Sequence, residues 1–251
     1  MEPALPKARF LDPRREEEAA SAPIAEAANL PWDRLRELRH ELPPPGEPVL
    51  VARVGPEAER AVAELARIGY EASLSDDWTH APMPMRWRLW EPNPLLNPPP
   101  MPPGTALDLG CGAGRDGVWL AAHGWRVTGL DLLPEAIGRA MCLAERFGVS
   151  GATEWVVADL RRPERLPPGP CDLMLALLCR HWRLAIALAD RLGPGGRLVL
   201  EAFGAGARRP GVTATPKEVV QAAEAAGLRP ELVDTGERRG AATVRAVLRR
   251  C

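Results

Sequence analysis

Three glycines at alternate positions, Gly110, Gly112 and Gly114, follow an apolar run that carries an acid at Asp108. The segment reads Ala106-Leu107-Asp108-Leu109-Gly110-Cys111-Gly112-Ala113-Gly114-Arg115-Asp116. Glycine is needed where the backbone takes positive φ or approaches a ligand closely, because a Cβ would collide. A turn of this kind, between a strand and a helix, brings a ligand to the helix N-terminus. The spacing is Gly-x-Gly-x-Gly, which differs from the Gly-x-Gly-x-x-Gly of dinucleotide-binding loops. A carboxylate two residues before the first glycine suits a cationic amino-acid end better than a pyrophosphate.

Two more acids have the same placement. Asp131 closes the run Trp125–Leu130, 17 positions beyond Gly114, and Asp159 closes Val156-Val157-Ala158. An acid at the second strand end is placed to accept hydrogen bonds from both hydroxyls of a ribose. Each acid alone would serve equally as a helix cap. Their agreement with the glycine loop favours a ligand. A fourth apolar run, Cys171 to Leu178, leads into Cys179-Arg180-His181-Trp182. Histidine is the side chain suited to proton transfer near neutrality, and His181 is the candidate base. Arg180 has no acid after it until Asp190, so its guanidinium is the candidate holder of an anionic group. The plainer use of both is to open a helix towards solvent.

Strands that alternate with helices are needed to hold these groups together. Strand-like runs occur at Ala106–Leu109, Arg126–Leu130, Glu154–Ala158, Asp172–Leu177 and Arg197–Ala202. Helical stretches separate them at Arg115–His123, Pro134–Phe147, Trp182–Leu192 and Pro216–Ala226. This alternation predicts parallel βαβ units in an open sheet covered on both faces. Glu231–Val233 and Thr243–Leu248, linked through Gly236–Gly240, are expected to form an antiparallel edge hairpin.

Upstream the signals are shorter. Strands are expected at Ala8–Asp12 and Pro48–Ala52, and helices at Arg14–Ala28, Pro31–His40 and Pro56–Ile68. Ser75 to Gly104 carries nine prolines and three tryptophans, a density that blocks long helices and central strands. Its end, Pro98 to Gly104, reads as a stiff connector. Arg86 to Leu96, rich in Trp and Leu, is expected to pack on the domain that follows. The expected division is 1–75, a connector over 76–104, and 105–251.

Composition narrows the classes. With 46% hydrophobic and 26% charged residues in 251, there is enough apolar surface for a core. A formal charge of −1 gives no overall attraction to nucleic acid or an anionic membrane, so no extended nucleic-acid contact is expected. Arg208 to Cys251, with nine Lys/Arg against five Asp/Glu, reads as the basic edge of a sheet. No run reaches the ~20 apolar residues of a membrane span. Five scattered cysteines without a Cys-x-x-Cys pair give no zinc site or disulfide framework, and no metal is expected. A reduced, cytoplasmic setting fits.

At Asp108, Gly110, Gly112 and Gly114 the chain resembles the class I S-adenosylmethionine-dependent methyltransferases, over about Arg86 to Arg250. The resemblance implies a Rossmann-like, seven-stranded, mostly parallel α/β sheet whose last strand is antiparallel. It implies that the loop, Cys111 included, wraps the methionine part of S-adenosylmethionine. It also implies that Asp131 holds the ribose and that Asp159 meets the adenine amino group, with Leu132 and Leu160 beside the ring. The run Gly110 to Asp116, followed by Val118-Trp119-Leu120-Ala121, is similar to the small-molecule branch containing tellurite-resistance and thiopurine methyltransferases. Cys111 and Cys179 are assigned no methyl-relay role, since buried cysteines are usually inert.

Residues 10 to 72 are similar to a rhodanese-like sulfurtransferase domain, a small N-terminal α/β fold. The matching pieces are Phe10-Leu11-Asp12-Pro13-Arg14, Glu16-Glu17-Glu18, Ala28-Asn29-Leu30-Pro31 and Val49-Leu50-Val51 before Gly55. The reactive cysteine that follows the strand in such domains is missing, since Cys111 is the first in the chain. Without a thiolate there is no persulfide carrier. The expected function is methyl transfer to a small-molecule acceptor, and a homodimer is compatible with the sequence. RNA or protein methylation, and a non-catalytic cofactor sensor, are the alternatives.

Overall fold

The computed structural model describes residues 5–97, 99–204, 212–238 and 240–251. The first four residues, Pro98 of the proline run, 208–211 of the basic stretch and Arg239 of the final link lie outside them. The chain divides into two compact units, Met1–Glu91 and Pro92–Cys251.

In the first unit, β1 (Phe10–Asp12), α1 (Glu16–Ser21), β2 (Ala27–Asn29), β3 (Val49–Ala52), α2 (Pro56–Arg67) and β4 (Ala72–Ser75) follow in order. The strands form a parallel sheet in the order β2-β1-β3-β4. Ala58, Ala61 and Leu65, at helical spacing on α2, are fully buried in one cluster with Leu11, Val49 and Val51. Buried Asp12 takes a two-pronged bond from Arg14, Nε at 2.9 Å and Nη2 at 2.7 Å.

The helix expected over Arg14–Ala28 stops at Ser21, before Pro23, and its tail becomes β2, paired with β1. Pro31–His40 forms two 3₁₀ turns, Trp32–Arg34 and Glu37–Glu41. β4, whose Ala-Ser-Leu-Ser alternation spans only four residues, pairs in parallel with β3. Only the end of Arg86–Leu96 joins the second unit: Trp87 and Leu89 pack in the first unit's core, while residues from Pro92 onward belong to the second.

The second unit contains β5 (Thr105–Leu109), α3 (Arg115–Ala122), β6 (Arg126–Asp131), α4 (Pro134–Arg146), β7 (Thr153–Val157), β8 (Cys171–Leu177), α5 (Trp182–Ala187), β9 (Leu192–Phe203), α6 (Pro216–Ala225), β10 (Leu228–Arg238) and β11 (Ala241–Arg250). Its seven-stranded sheet runs β10-β11-β9-β8-β5-β6-β7. The pairs from β9 through β7 are parallel, and β11 is antiparallel to both neighbours. This is the Rossmann-like α/β arrangement with an antiparallel end. The final strands are longer than their sequence signals, because β10 and β11 continue past Gly236 to Arg238 and Ala241. Strand order reverses between β5 and β8, and the crevice outside their carboxyl ends is where such sheets bind ligands.

The core is built mainly from Leu107, Leu109, Met174, Ala176, Leu198, Leu200, Ala246 and Leu248 of the sheet. Trp182 and Ile186 of α5, with Val219 and Ala223 of α6, cover one part of it. Among the described residues, no helix is long and apolar enough to cross a membrane.

Candidate functional site

Gly110, Gly112 and Gly114 have φ of +76°, +57° and +77°, the left-handed region that disfavours other residues. Two of them differ in what surrounds them. A Cβ on Gly114 would lie 2.7 Å from the Ala140 Cβ and 2.8 Å from Trp155 Cη2, so this position lets α3 seat against α4 and β7. A Cβ on Gly112 would meet nothing within 4 Å. That glycine is open to the cavity it lines.

The cavity, about 190 Å³, lies at the carboxyl ends of β5 and β8. The glycine loop, Asp108, Arg115, Asp116, Leu177, Leu178, Asn93 and Arg238 line it. A larger hollow of about 490 Å³ lies at the opposite strand ends, lined by Thr105, Arg126, Thr153 and Cys171 among others. It has neither glycine loop nor acid cluster, and open parallel sheets bind at the carboxyl end. Size does not decide.

Asp108 is 3% exposed, and its Oδ2 has no hydrogen-bond partner among the described residues. Burial pushes its carboxyl well above the usual carboxylate range, with Asp116 and Asp131 adding to the effect. A buried acceptor without a donor is costly. This one therefore marks the place of a cationic or N–H-bearing group. Asp116 is also raised, chiefly by burial, against the pull of the Asn93 N–H at 2.6 Å, Arg115 and Arg238.

Asp131 ties the loop to β6. Its Oδ2 accepts the Gly112 N–H at 2.9 Å, and its Oδ1 accepts the Leu133 N–H at 3.0 Å. Each oxygen retains a lone pair for a further donor. Asp159 lies apart from the cavity lining, in a two-pronged bond with Arg161, Nε at 2.9 Å and Nη2 at 2.8 Å. That guanidinium holds its carboxyl down at about 2. Leu132 is 56% exposed beyond β6, whereas Leu160 is buried in the main core.

Arg180 and His181 are both exposed, with His181 capping the start of α5, and neither lines the cavity. Burial pushes the Cys111 thiol far up, with Asp108 and Asp131 contributing, so it holds no thiolate near neutrality. Burial raises the Cys179 thiol as well.

Sequence reasoning missed Asn93, Asp116, Glu201, Arg238 and Leu178. Leu178 takes φ +55° directly after β8, and its N–H bonds the Glu201 carbonyl at 2.7 Å. A non-glycine residue held there stores strain, which gathers at ligand sites. Nothing local in the sequence announces it.

Residues 106–196 match the family model described as a methyltransferase domain. The match lies within the second unit. The buried, donor-less Asp108 Oδ2 beside an open glycine loop fits the cationic amino-acid end of S-adenosylmethionine. The chain is 34% identical over 114 residues to trans-aconitate 2-methyltransferase of Streptomyces avermitilis, covering 42% of this chain and 41% of the relative. It is 45% identical over 49 residues to ribosomal RNA small subunit methyltransferase C of Alcanivorax borkumensis, covering 20% and 15%. The chain thus spans less than half the length of each of these curated relatives. Among solved structures, the S-adenosylmethionine-dependent methyltransferase fold from Methanosarcina mazei superposes with a TM-score of 0.52 at 19% identity. It covers 63% of this chain and 97% of that one, which supports the fold.

Proposed function

We propose that the chain transfers a methyl group from S-adenosylmethionine to a small-molecule acceptor. The observation that carries this reading is the cavity, whose lining includes Asp108, with an unsatisfied buried oxygen, and an open Gly112, with Asp131 bracing the loop. Bound S-adenosylmethionine supplies a methyl group made electrophilic by its sulfonium.

In this reading Asp108 receives the ammonium end, and the loop backbone from Gly110 through Cys111 and Gly112 to Gly114 lies along the methionine part. Asp131 turns its remaining lone pairs to the ribose hydroxyls. Leu132, Leu133 and Val157, each at least half exposed at the ends of β6 and β7, offer an apolar seat for adenine. Asp159 meets the adenine amino group while sharing itself with Arg161, and Leu160 supports that seat from the core. His181 serves as the base and Arg180 as an anion holder when α5's first turn faces the acceptor. Transfer to a soft or anionic acceptor needs little beyond alignment.

A small acceptor is supported by the name of the Streptomyces avermitilis relative. Acceptors like those of the tellurite-resistance and thiopurine branch, with a sulfur, selenium or tellurium centre, belong to this proposal. The second reading, RNA methylation, draws on the 49-residue likeness to the ribosomal RNA enzyme. The first unit is proposed as a rhodanese-like relic. Its parallel sheet and buried Asp12–Arg14 pair support that reading, and no cysteine precedes Cys111 to make it active. A cytoplasmic setting and a homodimer complete the proposal.

Incubating cell extract with methyl-labelled S-adenosylmethionine and separating products by size tests the reading. Low-mass label supports it. Label confined to RNA supports the second reading, and no label anywhere contradicts both.

A further inference from the structure

Glu201 has no exposed surface, although it stands on β9 among Leu198, Val199, Leu200 and Ala202. A buried carboxylate costs several kcal/mol unless donors surround it. Four do: Asn93 Nδ2 at 2.7 Å and Arg238 Nη1 at 3.3 Å on Oε2, Thr243 Oγ1 at 3.1 Å and Arg245 Nε at 3.2 Å on Oε1. Thr243 and Arg245 stand on the adjacent strand β11 and are absent from the cavity lining, whereas Asn93 and Arg238 line it. Arg245 alone balances the charge of Glu201. Arg238 therefore brings a further positive charge to the cavity wall, and Glu201 uses only one of its five N–H donors.

Arg238 and the cofactor's anchors come from distant strands, although Arg238 and Asp108 line the same cavity. Asp108 and Asp131 belong to β5 and β6, while Arg238 ends β10, four places along the sheet from β5. At ~4.8 Å per strand that is roughly 19 Å at the strand axes. Its side chain reaches back across β11 to β9 and enters the cavity from the far side.

We infer that the methyl acceptor carries an oxyanion, and that Arg238, aimed by Glu201, binds it. This deepens the methyl-transfer reading and rests on it. Arg238 is a specificity-determining residue here, and Glu201 and Asn93 are positioning residues. A guanidinium fork matches carboxylate and phosphate geometry, which a lysine matches less well.

The test uses the full chain with Arg238→Met and Arg238→Lys. Small molecules of a cell extract are first split on an anion-exchange column into flow-through and salt-eluted fractions. Each fraction is offered with methyl-labelled S-adenosylmethionine, and S-adenosylhomocysteine affinity is measured by calorimetry. The expected result is label transfer with the salt-eluted fraction only. Arg238→Met should bind S-adenosylhomocysteine within twofold of wild type, yet label at least tenfold less at low acceptor. That deficit should shrink as the fraction is concentrated, and Arg238→Lys should recover part of it. Transfer from the flow-through alone, or undiminished labelling by Arg238→Met, overturns the inference. So does a tenfold loss of S-adenosylhomocysteine affinity in Arg238→Met, which would assign the arginine to the cofactor. Wild type that binds no S-adenosylhomocysteine defeats the methyl-transfer reading itself, and this inference with it.

Discussion

Gly112 and Gly114 are two positions apart, yet their substitution should fail in different ways. Both hold positive φ, so alanine costs ~1–2 kcal/mol at either. At Gly114 the new methyl also meets Ala140 and Trp155, adding ~1–3 kcal/mol of overpacking. Gly114→Ala should therefore lower the denaturation midpoint clearly more than Gly112→Ala. Gly112→Ala, whose methyl enters open space, should stay folded and bind S-adenosylhomocysteine at least tenfold more weakly. Equal midpoints with equal affinities would contradict this division. At Asp108 the sign is fixed by burial. Its carboxyl holds a proton in the native state where the unfolded chain has lost it, so stability falls as pH rises from about 4 towards the raised value. Asp108→Asn removes that titration. Ligand-free variant and wild type should differ least near pH 4, with the variant gaining relative stability towards neutrality and losing ligand affinity. A melting-temperature difference independent of pH would refute the account.

At the scale of elements, α6 opens with a reciprocal cap. Thr215 Oγ1 accepts the Glu218 N–H at 3.3 Å, and the Glu218 carboxylate accepts the Thr215 N–H at 2.9 Å. Thr215→Ala should cost ~1 kcal/mol in urea denaturation and leave S-adenosylhomocysteine affinity unchanged. A large loss of affinity would mean that α6 shapes the site. The strand–glycine–helix run of β5 and α3 and the acid that ends β6 were legible in the sequence because they are local. The network around Glu201 was not. Asn93 lies 108 positions and Arg238 lies 37 from Glu201, and only the sheet order brings them together. Arg180-His181 presents the reverse case: suitable residue types at the right strand end, exposed at the start of α5 and outside the cavity lining. Composition also overstated α1, where helix-forming residues run past Ser21 but β2 gains more by pairing with β1.

For the whole molecule, two units with separate cores divide the work unequally. Every residue that lines the cavity lies in the unit Pro92–Cys251. A ligand that binds the native state stabilises it by about 2.7 kcal/mol at a hundredfold excess over Kd. S-adenosylhomocysteine should accordingly raise the calorimetric transition of the second unit in the full chain, and the shift should grow with ligand concentration. A transition that ignores the ligand at any concentration would speak against the site. The central claim is that the glycine loop and its acids form a seat for an adenosyl amino acid. Titrating S-adenosylhomocysteine into wild type and Asp131→Ala tests this most directly, since Asp131 supports the loop and offers lone pairs to the ribose. Losing even one hydrogen bond to a charged group is worth ~1.5–3 kcal/mol, and thus more than tenfold in affinity. The account predicts saturable heat from wild type and binding at least tenfold weaker in the variant. No heat from wild type, or equal affinities in the two proteins, would contradict it.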